Sequence, residues 1–109
     1  EAAAAWPLNA GYDGIVVTNY LHRPLLPAIG EALGAGGVLI YETFARGNER
    51  FGRPRNPDFL LRPGELLAAF AHLAVVAFEQ GEVESPRPAV VERIAAVAGG
   101  LGRLPPPAA

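Results

Sequence analysis

The sequence predicts an α/β fold built on a mostly parallel sheet, and three observations within one stretch, Tyr12 to Phe44, predict it. Gly14-Ile15-Val16-Val17-Thr18 is a short, β-branched apolar run entered through Tyr12-Asp13, the pattern of a strand buried on both faces. From Leu25 to Leu33 the apolar residues fall at 25, 26, 29, 32 and 33, a helical spacing, and Gly34-Ala35-Gly36-Gly37 is expected to stop that helix. A second apolar run, Val38 to Tyr41, follows and ends at Glu42-Thr43-Phe44. Strand, helix and strand in this order are expected to form a right-handed crossover between parallel strands.

The remaining elements follow from similar signals. Upstream, Glu1 to Gly11 carries one landmark, Trp6, expected to pack over the first strand. Downstream, Ala45 to Pro63 has no evident element and holds Arg46, Arg50, Arg53, Arg55 and Arg62 against Glu49 and Asp58. Its Phe51, Phe59, Leu60 and Leu61 favour a loop that folds down as a lid over the strand ends; a solvated turn with locally paired arginines is the alternative. Pro63-Gly64-Glu65 opens a helix over Glu65 to Leu73, Ala74 to Phe78 is a short strand, and Glu79 to Pro86 is an acidic turn. Val90, Val91, Ile94 and Val97 fit a helix by spacing, yet their β-branching also suits a strand.

Composition narrows the function. The chain has 109 residues, half of them hydrophobic, a net charge of −2, nine arginines and no lysine. That balance favours a folded core and argues against a nucleic-acid partner. Without cysteine there is no disulfide, thiolate metal site or thiol nucleophile, and two separated histidines do not make a zinc site, so no metal is expected. Ser85, the one serine, lies in the acidic turn, far along the chain from His22, which argues against a Ser-His-Asp hydrolase. No run approaches the length of a membrane span and Ala2 to Ala5 lacks the features of a signal sequence, so a cytoplasmic location with no membrane partner is expected.

Ligands of open parallel sheets sit outside the carboxyl ends of the strands. Asn19, Tyr20, His22 and Arg23 follow the first strand, and Glu42 and Thr43 end the second, so a site is expected there.

The stretches YDGIVVTNYLHRPL, ALGAGGVLIYETF and GNERFGRPRNPDFLLRPGEL, in that order, resemble the second half of a class I S-adenosylmethionine-dependent methyltransferase, in particular the small bacterial tellurite-resistance-like type. The resemblance covers about residues 6 to 98. It implies a three-layer, doubly wound, mostly parallel sheet of the Rossmann-like methyltransferase kind, here only strands four to seven with an antiparallel last strand, which makes residues 88 to 98 a strand. Residues 1–11 become a linker, 12–98 the half-domain and 99–109 a Gly/Pro-rich tail. The Gly-rich turn by which the family binds its cofactor has no counterpart upstream of Tyr12.

The implied activity is methyl transfer from S-adenosylmethionine to a small acceptor; the arginines would suit an anion, and oxyanion, amine, carboxylate and hydroxyl acceptors are all open. Asn19, Tyr20 and Leu21 occupy the positions where the family's fourth strand meets the cofactor, and the Tyr20 ring can face a sulfonium. His22 and Tyr20 are the candidate catalytic residues, because an imidazole can take a proton near neutral pH; His22 capping the following turn is the alternative. Arg23, Glu42, Thr43, Arg50, Arg53 and Arg62 are the candidate acceptor-binding residues, with Glu42 open to a purely structural pairing with an arginine. The expected partners are a small-molecule acceptor and either a second copy of the chain or a missing N-terminal half. A non-catalytic half-domain serving as a self-associating or partner-binding module is the other function the sequence permits.

Overall fold

The computed structural model describes residues 10–100, so Trp6 and the tail beyond Gly100 lie outside the described residues. Strand β1 (Tyr12–Thr18) is followed by a 3-10 turn, Arg23–Leu25, and helix α1 (Leu26–Glu31). Strand β2 (Leu33–Phe44) leads into the arginine-rich loop, which carries two further 3-10 turns. Helix α2 (Glu65–Ala69), β3 (Ala74–Val83) and β4 (Ala89–Val97) complete the order.

The four strands form one sheet in the order β1-β2-β4-β3. β1 and β2 are parallel, and β4 is antiparallel to both β2 and β3, so three strands run one way and the last returns between two of them. Residues 88 to 98 therefore resolve in favour of the strand. Its β-branched side chains sit in a central position, paired on both edges, where such residues pack well.

Alternation along the strands separates two faces. Leu39, Tyr41 and Thr43 of β2 are buried, as are Ile94 and Ala96 of β4. With Ile29 of α1, Leu66 of α2 and Phe70 just beyond it, they form the core. Tyr41 and Phe70 meet with ring centroids 6.0 Å apart. The opposite face is uncovered among the described residues: Val16, Val38 and Ile40 are 70%, 40% and 42% exposed, and the register pairs Val16 with Ile40. β1, whose apolar run reads as a strand buried on both faces, is instead exposed or half-exposed along its length, because among the described residues it is an edge strand with only β2 beside it.

Three element boundaries are corrected in detail. Gly34 to Gly37 do not stop the helix, which ends at Glu31; they open β2. Five positions of β2, Leu33 to Val38, advance against only two of β1, Tyr12 to Gly14, and this bulged start needs glycine. A Cβ on Gly37 would lie 2.5 Å from the Tyr12 carbonyl oxygen. The second helix stops at Ala69 rather than Leu73, because Phe70 turns down into the core and Leu73 N–H donates to its carbonyl at 3.0 Å. Glu79 to Val83 belong to β3, not to a turn; β3 is an edge strand, where charged residues face water at little cost. His72 lies beyond the shortened helix, its ring 6.5 Å from that of Phe70.

Candidate functional site

The carboxyl ends of β1 and β2 are fixed in place by a small set of contacts. Asn19 N–H donates to the Glu42 carbonyl at 2.9 Å, extending the parallel ladder one step beyond β1. Asn19 then takes φ +56°, the left-handed conformation that asparagine tolerates better than most residues, and the chain leaves the sheet. The buried Tyr41 hydroxyl donates to the Tyr20 carbonyl at 2.7 Å, and Leu21 anchors in the core. Burial, helped by nearby Tyr20 and Glu65, pushes the Tyr41 phenol well above its ordinary pKa, so it remains a donor at any physiological pH.

The arginine-rich loop is pinned at both of its ends. Leu61 N–H donates to the Phe44 carbonyl and Arg46 N–H to the Leu61 carbonyl, at 3.0 and 2.9 Å. Buried Asn48 accepts from Val90 N–H at 3.1 Å and donates to the Pro54 carbonyl at 3.3 Å. Arg23 closes the assembly. Its Nε and Nη2 grip the two carboxylate oxygens of Glu65 at 2.6 and 2.9 Å, while Nη1 and Nη2 donate to the carbonyls of Asp58 and Leu60 at 3.0 and 2.8 Å. Burial raises the Glu65 carboxyl, but the Arg23 hydrogen bond, the Arg62 N–H and both guanidinium charges outweigh it and hold the group below the usual range.

Helix α2 is seated on the sheet in a related way. Gln80 Oε1 accepts from Gly64 N–H at 2.8 Å and Glu92 Oε1 from Leu66 N–H at 3.1 Å, which satisfies donors at the helix start. Glu92 Oε2 is buried without a hydrogen-bond partner among the described residues, and burial raises this carboxyl above its ordinary pKa.

Between the strand ends and the loop lies an open cleft of about 870 Å³. Its floor is Asn19, Tyr20, Leu21, Thr43 and Phe44; Arg53, Pro54, Arg55, Asn56 and Phe59 of the loop form one wall, and Arg87 from the β3–β4 turn closes a side. Of the candidate site residues, Asn19, Tyr20, Leu21, Thr43 and Arg53 come together here. The others stand apart. His22 is exposed and its carbonyl starts the 3-10 turn by accepting from Leu25 N–H at 2.9 Å. Arg23 is committed to Glu65; Glu42 lies opposite Arg93 in the β2–β4 register; Arg50 pairs with Glu82 at 2.8 Å; and Arg62 lies beside Glu65. Arg55, Asn56, Phe59 and Arg87 were not singled out by the sequence. The first three share the loop whose arginine excess was visible, whereas Arg87 gives no local signal.

No family model and no curated protein matches the chain. Solved structures do. TehB from Haemophilus influenzae superposes with a TM-score of 0.62 at 17% identity, over 89% of this chain and 38% of its own. A SAM-dependent methyltransferase from Methanosarcina mazei gives 0.62 at 14% identity, over 90% of this chain and 65% of its own. The 16S rRNA (adenine(1408)-N(1))-methyltransferase from Catenulisporales acidiphilia gives 0.55 at 17% identity, over 90% and 55%. The chain thus spans less than two thirds of the length of each. At such identities the likeness bears on architecture, and the sheet described above is built as a part of the S-adenosylmethionine-dependent methyltransferase fold.

Proposed function

We propose that this chain is the acceptor-side portion of an S-adenosylmethionine-dependent methyltransferase that acts on a small anionic acceptor. The observation that carries the reading is the cleft itself: it lies where ligands of such sheets bind, and its floor is the Asn19-Tyr20-Leu21 corner held rigid by Glu42 and Tyr41. The cofactor brings an activated methyl group, so the protein's task is to orient donor and acceptor and to exclude water. Asn19 offers an amide that donates and accepts, and the half-exposed Tyr20 ring offers a face to a sulfonium. His22, which follows Leu21 in the chain and is exposed though outside the lining, is the residue proposed to take a proton from the acceptor.

The test is a titration of the isotope-labelled chain with S-adenosylmethionine, followed by NMR, with the mass in solution recorded alongside. Weak binding is expected, with amide shifts concentrated at Asn19, Tyr20 and Leu21 and none along Ala74 to Val83. Shifts confined to other elements, or none at millimolar cofactor, refute the assignment.

A second reading, a self-associating or partner-binding module, is favoured by the uncovered face of Val16, Val38 and Ile40 beside the free β1 edge. The two are compatible if the partner, a second copy or a separate N-terminal half, completes the sheet there.

A further inference from the structure

The charges of the cleft point to a narrower ligand class. Eight arginines are described, and five of them have an acidic neighbour. Arg23 grips Glu65, Arg50 pairs with Glu82 and Arg93 with Glu79, while Arg46 acts on Glu49 and Arg62 on Glu65. The remaining three, Arg53, Arg55 and Arg87, make no ion pair or hydrogen bond among the described residues, and all three line the same cleft, which has no carboxylate in its lining. They come from two segments more than thirty positions apart, brought together because β4 returns between β2 and β3. In a chain of net charge −2, uncompensated arginines are thus gathered at one place.

The cofactor does not answer that charge. S-adenosylmethionine carries a sulfonium, an ammonium and a single carboxylate, so as a net cation it leaves the charge of the three guanidiniums unbalanced. A bare oxyanion answers the charge and leaves the space unfilled: about 870 Å³ is within the range of sites that hold molecules of many heavy atoms. Apolar surface in the cleft also needs a partner. Phe59 is 51% exposed, and Phe44 lines the cleft with it. An aromatic face held open beside cations suits a flat ligand body that stacks while its acidic groups meet the arginine forks.

We propose that the cleft binds a flat organic acid carrying at least two negative charges, a carboxylate or phosphate on an aromatic or similarly planar body, with Arg87 as an anchoring residue beside Arg53 and Arg55. As the identity of the methyl acceptor, this rests on the methyltransferase reading; as a binding site, it stands without it. Binding is therefore measured without cofactor, by calorimetric titration of the full chain with 1-naphthyl phosphate, inorganic phosphate and 1-naphthol. The naphthyl ester is expected to bind at least about tenfold more tightly than either fragment. Arg53→Ala and Arg87→Ala are each expected to weaken it about tenfold, consistent with loss of a charge-assisted contact. Phe59→Ala should weaken the ester and leave inorganic phosphate unchanged, and Arg46→Gln, outside the cleft, should change neither. All these side chains are exposed, so the fold survives the substitutions. Inorganic phosphate matching the ester, 1-naphthol matching it, no saturable binding of the ester, or an affinity indifferent to Arg53 and Arg87 overturns the proposal. Ester binding in a chain whose Asn19-Tyr20-Leu21 corner ignores S-adenosylmethionine would reject methyl transfer and leave this site standing.

Discussion

Arg23→Ala is expected to be the most damaging single change of a charged side chain in the molecule. The guanidinium makes four hydrogen bonds, two to the Glu65 carboxylate and two to loop carbonyls, so its loss unpins α2 and the loop together. Bonds to charged groups contribute about 1.5–3 kcal/mol each, and breaking a fully buried pair costs about 3–5 kcal/mol in all. The two side chains retain 27% and 15% exposure, so water recovers part of that, and a loss of about 2–3 kcal/mol is expected. Urea denaturation measures it, with Arg50→Ala as internal reference: that arginine and its partner Glu82 are 57% and 59% exposed, and their pair contributes about 1 kcal/mol or less. The pH dependence has a defined sign. Glu65's carboxyl is held low in the folded state, so its contribution is present above the ordinary carboxylate pKa and disappears as pH falls through the folded value. The Arg23→Ala deficit should accordingly shrink below about pH 4. A deficit no larger than that of Arg50→Ala, or one independent of pH, refutes the clamp.

Four further outcomes are expected. Val16→Lys should abolish any self-association seen by light scattering, because it places a charge on the uncovered face beside the free edge; unchanged association refutes that interface. Asn19→Gly should keep or slightly raise stability, whereas Asn19→Ala should cost about 1 kcal/mol, since φ +56° strains an alanine; equal unfolding midpoints refute the strain argument. Gly37→Ala should destabilise by about 1–3 kcal/mol, because the new methyl meets the Tyr12 carbonyl and the backbone must shift; a midpoint equal to that of the parent chain refutes the need for glycine there. Glu92→Gln should gain stability relative to the parent chain as pH rises from about 4 to 7. Burial raises the Glu92 carboxyl in the folded state, so the native chain holds that proton longer and loses stability on the way up, a loss the amide does not share; parallel pH profiles refute it.

Much of the fold was legible because it depends on residues close in sequence. The run Gly14 to Thr18 and the run Val38 to Tyr41 read as strands, and they pair in parallel. The boundaries that failed depend on what lies across the sheet. Gly34 to Gly37 look like a helix stop until the bulged pairing with Tyr12 makes them the start of a strand. Glu79 to Val83 look like a turn until β4 pairs along the whole of β3. Residues 88 to 98 could not be settled by spacing, and the strand became clear only from the resemblance and from their place between two others.

The candidate site divides along the same line. Asn19, Tyr20, Leu21 and Thr43 could be placed together because a parallel crossover puts two strand ends side by side. The arginines could be counted and not sorted. Five acquire acidic neighbours, some from nearby in the chain, as Arg46 does from Glu49, and some from far away, as Arg23 does from Glu65 and Arg50 from Glu82. An arginine is available to a ligand only after those neighbours are known, so availability is a property of the folded chain. Arg87 shows this most plainly: it follows an acidic stretch in the sequence, yet Glu79 pairs with Arg93 and Glu82 with Arg50, and Arg87 lines the cleft with Arg53 and Arg55. An arginine so placed, with no acid to hold it, contributes little to the fold's own stability. Substituting it should leave the unfolding midpoint unchanged while anion affinity falls, a separation not expected of Arg23, whose guanidinium grips Glu65 and two loop carbonyls.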